Sequence, residues 1–222
     1  MRVRRLVMLR HGQTEYNADS RMQGQLDSQL TDLGRAQAVA AAEVLAKRQP
    51  LLIVSSDLHR AYDTAVTLGE RTGLVVHVDT RLRETHLGEW QGLTHGQVDA
   101  NAPGARLAWR DDATWAPHGG ESRIDVADRS VPLVSEIVAA EHEWGLEEPD
   151  RPVVLVAHGG LIAALCAALL DLPVDNWPVL GGMGNASWAQ LSAHGAGDAA
   201  FADLRWRLDV WNASAQVAND VL

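Results

Sequence analysis

Two short apolar runs in this chain end in the same way. Leu6-Val7-Met8-Leu9 runs into Arg10-His11-Gly12, and Val153-Val154-Leu155-Val156-Ala157 runs into His158-Gly159-Gly160. Runs of this length read as buried strands, and the second is followed by a helix-like segment. Ligands of open α/β sheets lie beyond the C-terminal ends of strands. Two strand–His–Gly units can therefore bring both imidazoles to one sheet edge. Arg10 adds a fixed charge and a planar fork of N–H donors that suits phosphate or carboxylate. His11 can serve as base, ligand or nucleophile near neutral pH. Gly12 lets the backbone turn and approach a ligand. Read alone, the first stretch fits a basic strand edge and surface turn equally well.

At 222 residues, the chain is expected to form one domain over 1–222. Hydrophobic residues at 46% suffice for a sizeable core. The net charge of −10 argues against a nucleic-acid partner, so an anionic substrate needs a local positive pocket. Two histidines without a third ligand at usual spacing make zinc a poor reading, and no metal or other cofactor is expected. Cys166 is the one cysteine; it sits in an apolar segment and reads as a buried, inert thiol. No apolar run approaches the roughly 20 residues of a membrane helix. The apolar run after Arg5 is too short for a secretion signal. The expectation is a cytoplasmic protein with no membrane partner.

Strand and helix patterns alternate along the chain. Thr31 reads as the N-cap of a helix to about residue 48, with Leu33, Ala36, Ala40 and Val44 facing the sheet. After a second strand at 51–54, Leu58, Ala61, Ala65 and Leu68 form one helical stripe closed by Gly73. Arg60 falls in the first turn of that helix, where backbone N–H groups and the dipole favour an anion. Residues 93–122 break the rhythm with Pro103, Gly104, Pro117, Gly119 and Gly120. They read as a lid-like insertion with a short helix near 105–109. A helix resumes around 123–143, and alternation of Leu204, Trp206, Leu208 and Val210 marks a half-buried final strand.

Taken together, Arg10-His11-Gly12, the second His158-Gly159, and Ser56-x-Leu58-x-Arg60-Ala61-x-x-Thr64 resemble the motifs of the histidine phosphatase superfamily. The loop Arg21-Met22-Gln23-Gly24-Gln25-Leu26-Asp27 resembles that family's loop beside the phosphate. Glu84-x-x-x-Gly88-x-x-x-Gly92 resembles its acid-bearing segment, and Gly120-Glu121-Ser122 a box of its small members. The resemblance implies a phosphoglycerate-mutase-like fold: a three-layer α/β/α sandwich on a mostly parallel central sheet. It implies His11 as nucleophile and Glu84, held protonated, as the acid for the leaving group. Arg10, Arg60 and His158 would neutralise phosphoryl oxygens. Asn17, Gln23, Gly24 and Gly159 would complete the phosphate pocket. The short insertion, with Trp in place of Lys, favours a phosphatase over a mutase. Carried further by several stretches, among them 93–95, 115–122 and 180–188, the resemblance implies a small phosphorylated sugar acid as substrate; a homodimer is the expected assembly. Trp115 and His118 then become candidates for reading the sugar acid. A phosphoglycerate mutase or broad-specificity phosphatase, and a non-catalytic phospho-ligand or protein-binding module on the same fold, are the other readings.

Overall fold

The computed structural model describes residues 2–146 and 151–215. In chain order its elements are β1 (Arg2–Arg10), α1 (Glu15–Ala18), α2 (Asp32–Ala46), β2 (Leu52–Ser55), α3 (His59–Thr72), β3 (Val76–Val78), α4 (His95–Asn101), α5 (Ala105–Asp111), α6 (Arg123–Ala140), β4 (Val153–Ala157), α7 (Gly159–Leu169), β5 (Trp188–Gly195) and β6 (Arg205–Ala213). Among the described residues the strands form one sheet in the order β3-β2-β4-β1-β5-β6. The pairings among β3, β2, β4 and β1 are parallel, and those of β5 and β6 are antiparallel.

Strand alternation builds the layers. Successive side chains point to opposite faces. Leu6 and Met8 therefore join one core with α6 and α7, while Val7 and Leu9 join the other with α2 and α3. β4 divides likewise, with Val153, Leu155 and Ala157 on the first face and Val154 and Val156 on the second. Each fully buried aliphatic side chain contributes roughly 1.5–3 kcal/mol. The result is a three-layer α/β/α sandwich around a mostly parallel sheet. Cys166 lies in the first core, its Sγ 3.9 Å from the Met8 sulfur, and burial pushes its thiol pKa up.

Local signals set the helix ends. The Thr31 hydroxyl accepts the Gly34 N–H at 3.0 Å and starts α2. Gly73, at φ 72°, stops α3 in the left-handed conformation. A reciprocal Ser122–Asp125 capping box starts α6.

The buried stripe of α2 differs from the one expected. Gly34, Ala38, Ala41, Ala42 and Leu45 face inward, whereas Leu33 is 51% exposed. The reason is a close approach: a Cβ on Gly34 would stand 2.0 Å from the Gln13 carbonyl oxygen. The helix packs through its smallest residue, which rotates the bulkier Leu33 outward. Gly12 serves the same contact, since its Cβ would lie 2.2 Å from the Gly34 carbonyl oxygen. Its lack of a side chain is used for packing on α2. The first strand is also longer than its apolar run, because β5 pairs with it from Arg2 to Leu9. Within 93–122 there are two short helices, α4 and α5.

Candidate active site

β1 and β4 are parallel neighbours, with Arg10 opposite Ala157. The next residue on each strand is a histidine. Strand register thus sets the two imidazoles side by side, with ring centroids 5.2 Å apart. β2 flanks β4 on its other side, with Ser55 opposite Val156. This delivers Ser56 and the start of α3, with Arg60, to the same edge.

A cavity of about 160 Å³ opens there, lined by Arg10, His11, Asn17, Arg21, Met22, Gln23, Gly24, Arg60, Glu84, Thr85, Leu87, Trp109 and Gly160. His11 is 2% exposed, and its Nδ1 lies 2.7 Å from the Gly12 carbonyl oxygen. A carbonyl only accepts, so Nδ1 carries the proton and Nε2 keeps a lone pair. Burial, then Arg60 and Arg10, hold its pKa well below 6.5, so the ring is neutral at pH 7.

His158 is fully buried, with Nε2 2.9 Å from the Ser56 hydroxyl. That hydroxyl already accepts the Leu58 N–H at 3.3 Å. Ser56 Oγ makes no other hydrogen bond among the described residues, so its proton is available to His158 Nε2, the arrangement that leaves Nδ1 protonated. Nδ1 has no partner among the described residues and is a donor for an incoming oxygen. Burial, and then Arg60, His11 and Arg10, hold this imidazole neutral too. His158 therefore offers a hydrogen bond to an incoming oxygen.

Fixed charge comes from two arginines. Arg60 is fully buried and donates to the Leu26 and Gly24 carbonyls at 2.8 and 2.7 Å. Burial lowers its pKa to about 10, against the pull of Glu84 and Asp27, and it stays charged at pH 7. Arg10 donates to the Met183 carbonyl, and burial lowers its pKa as well. Two amides add neutral donors. Asn17 Oδ1 accepts from Thr14 and Asn185, and Gln23 Oε1 accepts from Thr14 and Ser28. With their oxygens so engaged, both NH2 groups remain to face an anion.

Glu84 sits on the N-terminus of α7. Its Oε1 accepts the Thr85 and Leu161 N–H groups at 2.8 and 3.0 Å, and Oε2 accepts the Gly160 N–H at 3.1 Å. A Cβ on Gly160 would stand 2.6 Å from Glu84 Oε1. The second glycine after His158 is what lets the carboxylate reach this helix end. Gly159 lies beside Arg10, and a Cβ there would meet the Arg10 side chain at 3.6 Å. Gly24, at φ 53°, lines the cavity and anchors Arg60 through its carbonyl.

Trp115 and His118 lie elsewhere. Trp115 packs on Trp90, with ring centroids 5.4 Å apart. His118 is an exposed side chain, with Nδ1 2.9 Å from Glu89 Oε1. The cavity wall instead carries Trp109, edge-on to Trp90 at 6.0 Å, and Arg21. Which tryptophan of the insertion faces the cavity depends on this stacking, and spacing alone does not reveal it. Ser56 and Gly160 were also absent from the expected site, although both stand within motifs that carry it. Among the described residues, no group of three or more His, Cys, Asp or Glu is placed to hold a metal ion, and no helix is long and apolar enough to cross a membrane.

Comparison with known proteins shows the family and its relatives. The model of the histidine phosphatase superfamily, branch 1, matches residues 6–212. The chain is 80% identical, over all of both chains, to a glucosyl-3-phosphoglycerate phosphatase of Mycobacterium tuberculosis (strain ATCC 25618 / H37Rv). It is 38% identical over 168 residues, 73% of this chain and 67% of the relative, to a metal-independent phosphoserine phosphatase of Arabidopsis thaliana. A solved mycobacterial glucosyl-3-phosphoglycerate phosphatase in complex with VO3 superposes with a TM-score of 0.92 at 80% identity, covering 95% of this chain and all of that one.

Proposed function

Because this chain belongs to the histidine phosphatase superfamily, branch 1, we propose that it dephosphorylates glucosyl-3-phosphoglycerate to glucosylglycerate through a phosphohistidine on His11. It is a phosphatase. The observation that carries the mechanism is the neutral His11 ring, pinned through Nδ1 and flanked by two guanidiniums, with Nε2 left to attack.

Uncatalysed phosphomonoester hydrolysis is slow enough to need up to ~10²¹-fold acceleration. Positioning and charge compensation supply most of that in phosphoryl transfer. Arg10 and Arg60 bind the phosphoryl oxygens as fixed cations. His158 Nδ1–H and the amides of Asn17 and Gln23 donate to the same oxygens. The His11 Nε2 lone pair attacks phosphorus in line, and the P–O bond to the sugar acid breaks. Glu84 gives its proton to the departing alkoxide oxygen. Of its two oxygens, Oε2 accepts fewer protein N–H groups and is the better placed to carry that proton. The ionised carboxylate then takes a proton from water. That water attacks phosphorus, the P–N bond breaks, and the electron pair returns to Nε2. Splitting one hard displacement into two is the gain of covalent catalysis. Arg21 and Trp109, on the cavity wall, face the organic part of the substrate. A non-catalytic binding role is disfavoured by the presence of the whole set of nucleophile, acid and phosphate ligands. One buried thiol and an anionic metabolite as substrate fit work in the reducing cytoplasm.

The test is acid-quench labelling with phosphate-labelled substrate. Wild type should carry an acid-labile phosphoryl group during turnover, and His11→Ala should lose label and turnover while still binding inorganic phosphate. Normal turnover in His11→Ala would end the mechanism. A comparison of kcat/KM across glucosyl-3-phosphoglycerate, mannosyl-3-phosphoglycerate and 3-phosphoglycerate tests the substrate.

A further inference from the structure

The acid of this mechanism is carried on an irregular segment, and a loop has no lattice of backbone bonds to hold its side chains still. Glu84 nonetheless reaches α7 at hydrogen-bond distance. Gln25 Nε2 donates to the Glu84 carbonyl at 3.1 Å, and a pair of charged side chains from elsewhere in the fold grips the main chain further. Arg129, on the second turn of α6, donates from Nη2 to the Glu84 carbonyl at 3.0 Å and from Nη1 to the Arg81 carbonyl at 2.7 Å. Its Nε and Nη2 also bind Glu121 at 2.9 and 3.1 Å, in a bidentate pair. Glu121 in turn accepts the His86 N–H on Oε2 at 2.8 Å and gives its own N–H to the His86 carbonyl at 2.8 Å. The two residues thus grip the chain on both sides of Glu84.

We propose that Arg129 and Glu121 are positioning residues that set the reach of Glu84 toward the leaving-group oxygen. This rests on the reading of Glu84 as the acid. Neither side chain lines the cavity, so neither touches the substrate. The pair fixes the Cα end of Glu84, and the first N–H groups of α7 fix its carboxylate end. Both side chains of the pair are only about one-fifth exposed, and its geometry is the planar fork that Arg and not Lys provides. A largely buried ion pair contributes little to folding compared with apolar packing of the same volume. Its effect here is orientation: loss of either partner lets the 83–87 segment relax and withdraw the acid. The Gly120-Glu121-Ser122 box acquires a role on this account. Gly120 lets the two loops touch, since a Cβ there would stand 2.5 Å from the His86 carbonyl oxygen.

A residue acting through a general acid shows itself by leaving group. Glucosylglycerate departs as an alkoxide that needs a proton, whereas p-nitrophenolate is already stable. Arg129→Met and Glu121→Gln should lower kcat on the sugar-acid phosphate by about 100-fold, the scale of an ångström of misplacement. The loss on p-nitrophenyl phosphate should stay several-fold or less, and inhibition by inorganic phosphate should be unchanged. Arg129→Lys should regain part of the activity. In a Glu84→Gln background, Arg129→Met should bring little further loss on the sugar-acid phosphate. Folded variants that lose equally on both substrates, or an undiminished Arg129→Met effect in the Glu84→Gln background, would overturn the proposal. If Arg129→Met does not fold, Glu121→Gln and Arg129→Lys decide by the same comparison. Equal losses on both substrates in Glu84→Gln itself would remove the acid reading, and this proposal with it. Selective loss there, without selective loss in the clamp variants, would remove the clamp alone.

Discussion

Gly160→Ala tests the acid from its other end with a single methyl group. Gly160 is not in the left-handed region, so alanine can adopt its backbone conformation. The steric problem is local: the new Cβ would lie 2.6 Å from Glu84 Oε1 and 2.8 Å from Thr85 Oγ1, where ordinary contact begins near 3.4 Å. The carboxylate must retreat by roughly 0.8 Å to restore that distance. Such a shift strains its bonds to the Gly160 and Leu161 N–H groups, now 3.1 and 3.0 Å. A hydrogen bond contributes about 0.5–1.5 kcal/mol net. An ångström-scale misplacement of a catalytic group costs on the order of 10²-fold, or about 2.7 kcal/mol of barrier. The expected result is therefore a loss of about 10- to 100-fold in kcat on the sugar-acid phosphate, within that range. Stability should fall by no more than about 2.5 kcal/mol. Overpacking costs roughly 1–3 kcal/mol, and replacing glycine in a helix returns roughly 0.5–1 kcal/mol. At about 2–4 °C per kcal/mol for a chain of this size, Tm should fall by no more than about 10 °C. Steady-state kinetics on both leaving-group classes, beside a thermal melt, measure all three quantities. Wild-type kcat on the sugar-acid phosphate, or an equal loss on p-nitrophenyl phosphate, would refute the placement of Glu84 against α7 as the basis of its action.

Three further outcomes are expected. The folded pocket holds His11 and His158 neutral by burial and flanking arginines, while the unfolded chain titrates them near 6.5, so stability is full above that pH and falls as pH drops below it. Each imidazole contributes up to about 1.4 kcal/mol per pH unit, read by urea unfolding between pH 7.5 and 5, and a flat profile there would contradict the pocket electrostatics. Trp109→Ala should weaken transition-state binding of the sugar-acid phosphate by roughly 1–3 kcal/mol and leave p-nitrophenyl phosphate nearly unchanged. Trp115→Ala, which removes the stack on Trp90, should lower Tm and spare that discrimination; the reverse pattern in kinetics would restore Trp115 as the sugar reader. Ser56→Ala should raise the inhibition constant of inorganic phosphate by about an order of magnitude, the scale of one hydrogen bond, and shift the ¹⁵N resonances of His158 away from the Nδ1–H tautomer. Unchanged resonances would show that Ser56 does not set the tautomer.

Some of this molecule can be read directly from local sequence. A strand followed by Arg10-His11-Gly12, a second strand followed by His158-Gly159, the Thr31 cap, the Gly73 stop and the placement of Arg60 in a first turn are all properties of a few consecutive residues. Backbone dihedrals and orphan N–H groups decide them within one turn of chain. Other features are decided by partners far apart in sequence. The two histidines meet because β4 lies between β1 and β2 in register, which no single stretch encodes. The buried stripe of α2 turns on a contact between Gly34 and Gln13; an alanine-rich helix offers several equivalent apolar faces, and packing selects one. The charge state of His158 follows from burial among arginines, and its tautomer from a serine 102 residues away. The tryptophan on the cavity wall is set by which ring stacks on which, so spacing favoured Trp115 where the fold presents Trp109. Residue chemistry is written locally, whereas the environment that tunes it is a sum over neighbours that only the closed chain brings together.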